Sequence, residues 1–289
     1  MKQYISHQLD LHFNSSGNIE VPKQDRSKPI IDLALDTYRN EKEQDSPSNN
    51  TLDGIFRDYA ISQIRTFVFA GHDSTGSAIC YAFYLLSKNS SARKLLRTEH
   101  DRVLGPNRDK ASSEISSNPH LLNQLPYTLA VVKEALRLYP PASSTRSGEP
   151  GYSISDRNGH QLPTDGFLVW SNAYAIHRDP NLWPEPNKFL PERWLVEEGD
   201  RLYPQKGAFR PFEFGPRNCI GQELAMLELK LVLVMTAREF EVRSVYDEWD
   251  KLNPISGTKT INEDRAYQIL SGAAHPSDGL PCRVSLTVR

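Results

Sequence analysis

The sequence predicts a mainly α-helical fold with small β-sheets, and three features carry that reading. A run at 52–88 suits one long helix, with Ile55, Phe56, Tyr59, Ile64, Phe67 and Val68 on its apolar side. A second strongly apolar run, 219–238, follows a turn-rich loop and directs Leu224, Leu227, Leu231, Val234 and Met235 toward a core. Short pieces at 152–154 and 167–170 flank the turns 157–159 and 163–166, and the tail alternates through Val284, Leu286 and Val288. These read as small strands.

The whole chain sets bounds on this. It has 289 residues, 38% of them hydrophobic, which is ample for a sizeable core. A formal net charge of −2 gives no argument for a nucleic acid or an anionic membrane as partner. Cys80, Cys219 and Cys282 lie far apart with no C-x-x-C pair, so neither a zinc site nor a disulfide framework is indicated. The N-terminus has no apolar signal region. One stretch, 64–86, approaches membrane length, but His72, Asp73, Ser74 and Thr75 sit at its centre. A buried helix explains it better, and no membrane helix is expected.

In chain order, 1–27 is polar and weakly patterned, which suggests loop or frayed helix. The stretch 28–40 carries Ile31, Leu35 and Tyr38 at helical spacing, and 41–50 is a charged, polar linker. The expected division is therefore 1–50, a polar segment with a short helix, and 51–289, the main domain. Asp53 is placed to cap the long helix. The helix centre, 70–76, holds two glycines and a Ser-Thr pair, which weaken the hydrogen-bond ladder and predict a kink. A helix at 90–104 is expected to start on Ser90 or Ser91 and to stop at Gly105-Pro106. The stretch 126–139 opens with proline, stops at Pro140-Pro141, and places Glu134 and Arg137 on one face. A proline-rich meander, 184–211, leads to the loop before the last helix, and 247–265 reads as a polar insert between terminal strands.

The chemistry concentrates in the loop that ends the meander. Pro211, Gly215, Pro216 and Gly221 present Cys219 at the mouth of the apolar helix, with Arg217 close by. A thiol there meets the helix dipole and unpaired N–H groups, and Gly221 lets something flat approach the backbone. A cysteine taken alone is most often a small buried hydrophobe. Here Phe212, Gly215, Arg217, Cys219 and Gly221 fill every fixed position of F-x-x-G-x-R-x-C-x-G. The stretch 70–75 reads AGHDST, Glu134 and Arg137 form E-x-x-R, and 191–194 reads PERW. On these motifs the sequence resembles the cytochrome P-450 superfamily, in its eukaryotic, fungal-like type. The resemblance covers the C-terminal half of the cytochrome P-450 fold, from about residue 28 to the end.

That resemblance implies a haem-dependent monooxygenase inserting one oxygen atom of O2 into a lipophilic or secondary-metabolite-like organic substrate. Cysteine thiolate as axial ligand favours O–O cleavage. Cys219 would ligate the iron of haem b, held non-covalently because no C-x-x-C-H is present. Arg217 and Arg146 would meet the propionates, with His177 a weaker propionate or loop-bracing candidate. Asp73 falls at the family's proton-relaying acid. Ser74 stands where the family usually has threonine and keeps the hydroxyl, and Thr75 is a partial substitute. Glu134, Arg137 and Arg193 would form a buried structural triad behind the cysteine loop. A tip within 267–272 would touch substrate. Electrons would come from an NADPH–cytochrome reductase, a flavoprotein, because no nicotinamide or flavin motif is present. Family resemblance also points to the endoplasmic reticulum membrane, although no anchor is read here. The N-terminal half of the family fold is not in evidence, so a truncated product, a wrongly bounded gene or a fragment is expected. The alternative functions are a non-catalytic remnant and a haem-binding module.

Overall fold

The computed structural model describes residues 1–15, 30–45, 52–254 and 259–287. The chain divides into two compact units, Met1–His72 and Asp73–Arg289. In the first unit, α1 (Lys2–Ser15), α2 (Ile30–Asp45) and the leading part of α3 (Gly54–Lys88) gather a small core of Ile5, Leu9, Leu35, Tyr38, Leu52, Ala60 and Ile61. Of the stretch expected to be loop or frayed helix, Lys2–Ser15 is helix, with Ile5 and Leu9, one turn apart, both buried, and 16–27 lie outside the described residues. Helix α2 continues through Asp45 into the stretch expected to be linker, and 46–51 lie outside the described residues. Asp53 caps α3 as anticipated, its carboxylate accepting the Ile55 N–H at 2.8 Å.

Helix α3 is assigned as helix without a break from Gly54 to Lys88. The weak helix sequence at 70–76 thus stays helical. A physical reason lies in where the polar side chains go: Asp73 and Ser77 hydrogen-bond to a hairpin far along the chain.

The second unit continues with α4 (Ser90–Leu104), α5 (Ala111–Ser117) and α6 (Pro126–Leu138). Four strands follow, β1 (Ser144–Ser147), β2 (Ser153–Ser155), β3 (Gln161–Pro163) and β4 (Leu168–Ser171). Strand β1 pairs antiparallel with β4, and β2 with β3. Helix α7 (Ala173–Ile176) opens the meander, which ends at α8 (Gln222–Thr236). The tail holds β5 (Phe240–Ser244), α9 (Tyr246–Leu252), β6 (Gln268–Ser271), β7 (Ala273–Pro276) and β8 (Cys282–Leu286). There β5 pairs antiparallel with β8, and β6 forms a hairpin with β7. The fold is therefore the mainly α architecture with small antiparallel sheets that the sequence predicts.

The main core joins α3, α4, α6 and α8 through Tyr81, Leu86, Leu96, Val131, Leu136 and Leu233. Helix α8 corrects the sequence reading. It buries Leu229, Leu233 and Val234, while Leu224, Leu227, Leu231 and Met235 are exposed. The helix is apolar all round, so periodicity alone did not single out the face that α6 and α5 take. Capping at α4 also differs. Asn89 precedes the helix without a side-chain cap and donates instead to the Leu85 carbonyl at 2.7 Å, so neither Ser90 nor Ser91 is the cap. Gly105 ends the helix at φ 76 and ψ 162, a conformation that its lack of Cβ permits.

Helix α6 carries two of the triad residues, Glu134 and Arg137, and is itself capped from outside. The buried Glu99 carboxylate accepts the Tyr127 N–H at 2.7 Å and the Thr128 N–H at 2.8 Å. A carboxylate at a helix N-terminus satisfies donors and complements the dipole. Burying it is tolerated because the Thr128 hydroxyl adds a third donor at 2.7 Å.

Candidate functional site

Glu134, Arg137 and Arg193 come together with their side chains fully buried. Arg137 grips Glu134 in bidentate fashion, Nε to Oε2 at 2.9 Å and Nη2 to Oε1 at 2.8 Å. Arg193 Nε donates to Oε1 at 3.0 Å. Two donors that the sequence reading did not assign complete the shell: Trp194 Nε1 to Oε2 and Leu190 N–H to Oε1, each at 3.0 Å. Arg137 also donates to the carbonyls of His177 and Pro186, both at 2.7 Å, and of Lys188 at 3.0 Å. One carboxylate thus gathers α6 and the meander through charge-assisted hydrogen bonds, while Arg193 Nη1 is buried without a partner among the described residues.

His177 carries that order toward the cysteine loop. Its Nδ1–H donates to the Arg137 carbonyl at 2.9 Å, which leaves Nε2 free to accept the Arg210 N–H at 2.8 Å. Burial pulls its pKa down to about 4, so the ring is neutral and the bridge has one consistent tautomer. Of the two roles expected for His177, this geometry is that of loop bracing. The ring also stacks on Phe209, centroids 5.7 Å apart.

Beyond Arg210 the chain turns on itself. Cys219 N–H donates to the Phe212 carbonyl at 2.8 Å and Asn218 N–H to the Gly215 carbonyl at 3.0 Å. Gly215 takes φ 82, a conformation that its lack of Cβ permits. Phe212 packs against the main core, while Phe214, Arg217, Cys219 and Ile220 face outward. Cys219 is therefore not the buried cysteine that a lone thiol most often is. A Cβ built on Gly221 would lie 3.9 Å from Cys219 Sγ, so the absent side chain leaves room beside the sulfur. Helix α8 begins directly after, with Gln222 N–H on the Cys219 carbonyl at 3.3 Å.

Arg146, on β1, lines a recess of about 350 Å³ with Arg210, Glu213, Phe214 and Trp170. Arg210 Nε is buried there with no hydrogen-bond partner among the described residues, and the sequence reading had not singled it out. Ser144 Oγ donates to Glu213 at 2.9 Å, holding that carboxylate to β1. An outward thiol, a bare glycine beside it and an unsatisfied guanidinium nitrogen fit a flat, anionic prosthetic group with a metal centre.

On α3, Thr75 is buried and Asp73 and Ser74 are half-buried. The Asp73 carboxylate is engaged by the β6–β7 hairpin, whose turn falls at the end of the stretch 267–272. Ala273 N–H donates to its Oδ2 at 2.5 Å, and His275 Nε2 lies 3.1 Å from Oδ1. Nothing in the sequence marked His275, because its pairing depends on the register of a strand far from Asp73.

With this geometry in place, comparison with known proteins gives the class first. A family model described as Cytochrome P450 matches residues 12–268, and the chain belongs to that family. The chain is 42% identical over 287 residues to "Cytochrome P450 monooxygenase polC" of Polytolypa hystricis, covering 99% of this chain and 50% of that protein. It is 34% identical to "Cytochrome P450 monooxygenase acrF" of Aspergillus aculeatus, covering 89% of this chain and 55% of that protein. To "Taurochenodeoxycholic 6 alpha-hydroxylase" of Sus scrofa it is 34% identical over 80% of this chain and 41% of that protein. The chain thus spans about half the length of the curated relatives it matches. Among the described residues, no helix is long and apolar enough to cross a membrane.

Proposed function

We propose that residues 51–289 carry the haem-binding portion of a monooxygenase that oxidises a lipophilic, secondary-metabolite-like substrate with O2. Haem b, when bound, would supply the oxygen-activating chemistry. Cys219 would be its axial ligand, Arg217 and Arg146 would meet its propionates, and Arg210 lies on the same recess as Arg146. Phe212, Gly215 and Gly221 shape the loop that presents the sulfur.

The protein's own part is positioning and proton handling. Glu134, Arg137 and Arg193 fix the meander, His177 passes that constraint to Arg210, and the Phe212 carbonyl fixes the Cys219 backbone. Asp73 would hold or release a proton at a carboxylate oxygen, and the Ser74 hydroxyl would orient it, with Thr75 as a partial substitute. Electrons would come from an NADPH-dependent cytochrome reductase. Membrane association at the endoplasmic reticulum would follow the family rather than any helix described here.

The observation that carries this reading is an outward cysteine on a loop braced from beneath by a buried ion network. A second reading, a non-catalytic remnant or haem-binding module, is favoured by the exposed apolar face of α8 beside that loop. The carbon-monoxide difference spectrum of the reduced, haem-reconstituted chain separates the possibilities. A red-shifted, thiolate-type Soret band that disappears in Cys219→Ala is expected. A histidine-type or free-haem spectrum in the parent chain overturns the assignment of Cys219. A thiolate spectrum without reductase-dependent turnover supports the second reading over the first.

A further inference from the structure

The hairpin β6–β7 meets α3 through consecutive residues. Ala273 N–H and His275 Nε2 reach the two oxygens of Asp73, at 2.5 and 3.1 Å. Between them, the Ala274 carbonyl accepts the Ser77 hydroxyl at 2.5 Å. Asp73 and Ser77 are one turn apart on α3 and so share a face. Residues 273 and 275 share one side of β7 by the strand's period of two. The Asp73 side chain keeps 18% of its exposure and that of His275 29%, so both are largely shielded. When Asp73 is ionised its oxygens only accept hydrogen bonds, and the contact then takes its proton from Nε2 of His275.

We propose that His275 is a positioning residue that holds the Asp73 carboxylate turned toward β7, and that the pair latches the hairpin tip beside the Asp73-Ser74 step. A carboxylate gripped on both oxygens turns less freely than one gripped on a single oxygen. The latch therefore fixes two things at once: the direction of the acid, and the placement of a tip whose Leu270 is 83% exposed and whose turn is made by Gly272 at φ 84. Its meaning rests on the proton-handling role proposed for Asp73; its existence does not.

The test is hydrogen exchange at the Ala273 and Leu270 amides of the full chain, with His275→Ala, His275→Gln and Ser77→Ala beside the parent. His275→Ala is expected to exchange about tenfold faster at Ala273, the effect of losing one charge-assisted hydrogen bond. His275→Gln, which restores a donor at similar reach, is expected to recover most of the protection. The nitrogen-15 spectrum of the parent is expected to place the His275 proton on Nε2, with the Nε2 resonance shifted in Asp73→Ala by loss of the hydrogen-bond acceptor. Unchanged exchange in His275→Ala, or a proton resident on Nδ1 in the parent, overturns the proposal. If His275→Ala does not fold, the Gln variant and the nitrogen-15 signature decide. The carbon-monoxide spectrum of the cysteine site bears on haem ligation alone, so failure of either reading leaves the other testable.

Discussion

The two sides of the cysteine loop are built on opposite principles. Beneath it, Glu134, Arg137 and Arg193 bury three charges completely, and the carboxylate accepts from Arg137, Arg193, Trp194 and Leu190. Above it, Phe214, Ile220, Leu224 and Leu227 are large apolar side chains left facing outward. The usual placement is inverted, with ions inside and hydrocarbon outside. On the inner side, meander and helix supply the four residues that donate to the carboxylate, while Arg193 Nη1 stays buried without a partner among the described residues. The outer side finds no cover among the described residues.

The largest expected effect comes from breaking the inner side. Glu134→Ala strands two buried guanidiniums and is expected to cost about 3–5 kcal/mol, a large share of a typical domain's stability of roughly 5–15 kcal/mol. Urea unfolding should show a loss of this size or no cooperative transition. A loss under 1 kcal/mol would mean that Arg137 is satisfied by the carbonyls of His177, Pro186 and Lys188 without the carboxylate.

Acid should act next, through two buried histidines. Burial lowers both His100 and His177 from the ordinary 6.5 to about 4. The unfolded chain takes up these protons near pH 6.5, while the folded chain resists until about pH 4. Their contribution is thus fully present above pH 6.5 and is lost as pH falls toward 4, by roughly 3 kcal/mol per histidine at most. Urea midpoints at pH 7 and pH 5 measure the loss, and imidazole titration by NMR assigns it to each ring. Midpoints that do not move between those pH values would show that the rings are protonated in place.

Much of the inner side was legible in the sequence, and the outer side was not. E-x-x-R and PERW each name their residues at fixed local spacing, so the triad could be assembled on resemblance before any coordinates. The cysteine loop was legible for the same reason. Long-range register was not: His275 on Asp73 and Glu99 on the first turn of α6 follow from packing between distant segments. Helix α8 shows a different limit, since Leu224 and Leu229 look alike in a helix apolar all round, yet one is exposed and the other buried. By propensity 70–76 is poor helix sequence, yet it stays helical, and the pull of Asp73 and Ser77 toward a hairpin is not something propensity reveals.

A finer cut through the inner side is Trp194→Phe. The fused indole is cut back to a single benzene ring, so packing against Trp183 and Phe209 survives only in part. What goes is one hydrogen bond to Glu134 Oε2, an oxygen that still accepts from Arg137 Nε. A bond to a charged acceptor is worth about 1.5–3 kcal/mol net. The remaining donor should keep the observed loss near the lower figure, measured by urea unfolding. A loss as large as that of Glu134→Ala would make the indole, rather than the arginines, the main partner of the carboxylate.

The smallest effect on stability is expected on the outer side. Leu224 is 61% exposed on α8, three residues beyond Gly221. Leu224→Gln keeps helix propensity and removes little buried surface, so unfolding should shift by no more than about 0.5 kcal/mol. Its self-association and dye binding, by contrast, should fall, because an apolar patch of this kind drives both. The two readouts separate what the comparison separates: a residue can matter to the surface and be nearly silent in the fold. A destabilisation of 2 kcal/mol or more from this substitution would place Leu224 inside a packed contact and collapse the distinction between the two sides of the loop.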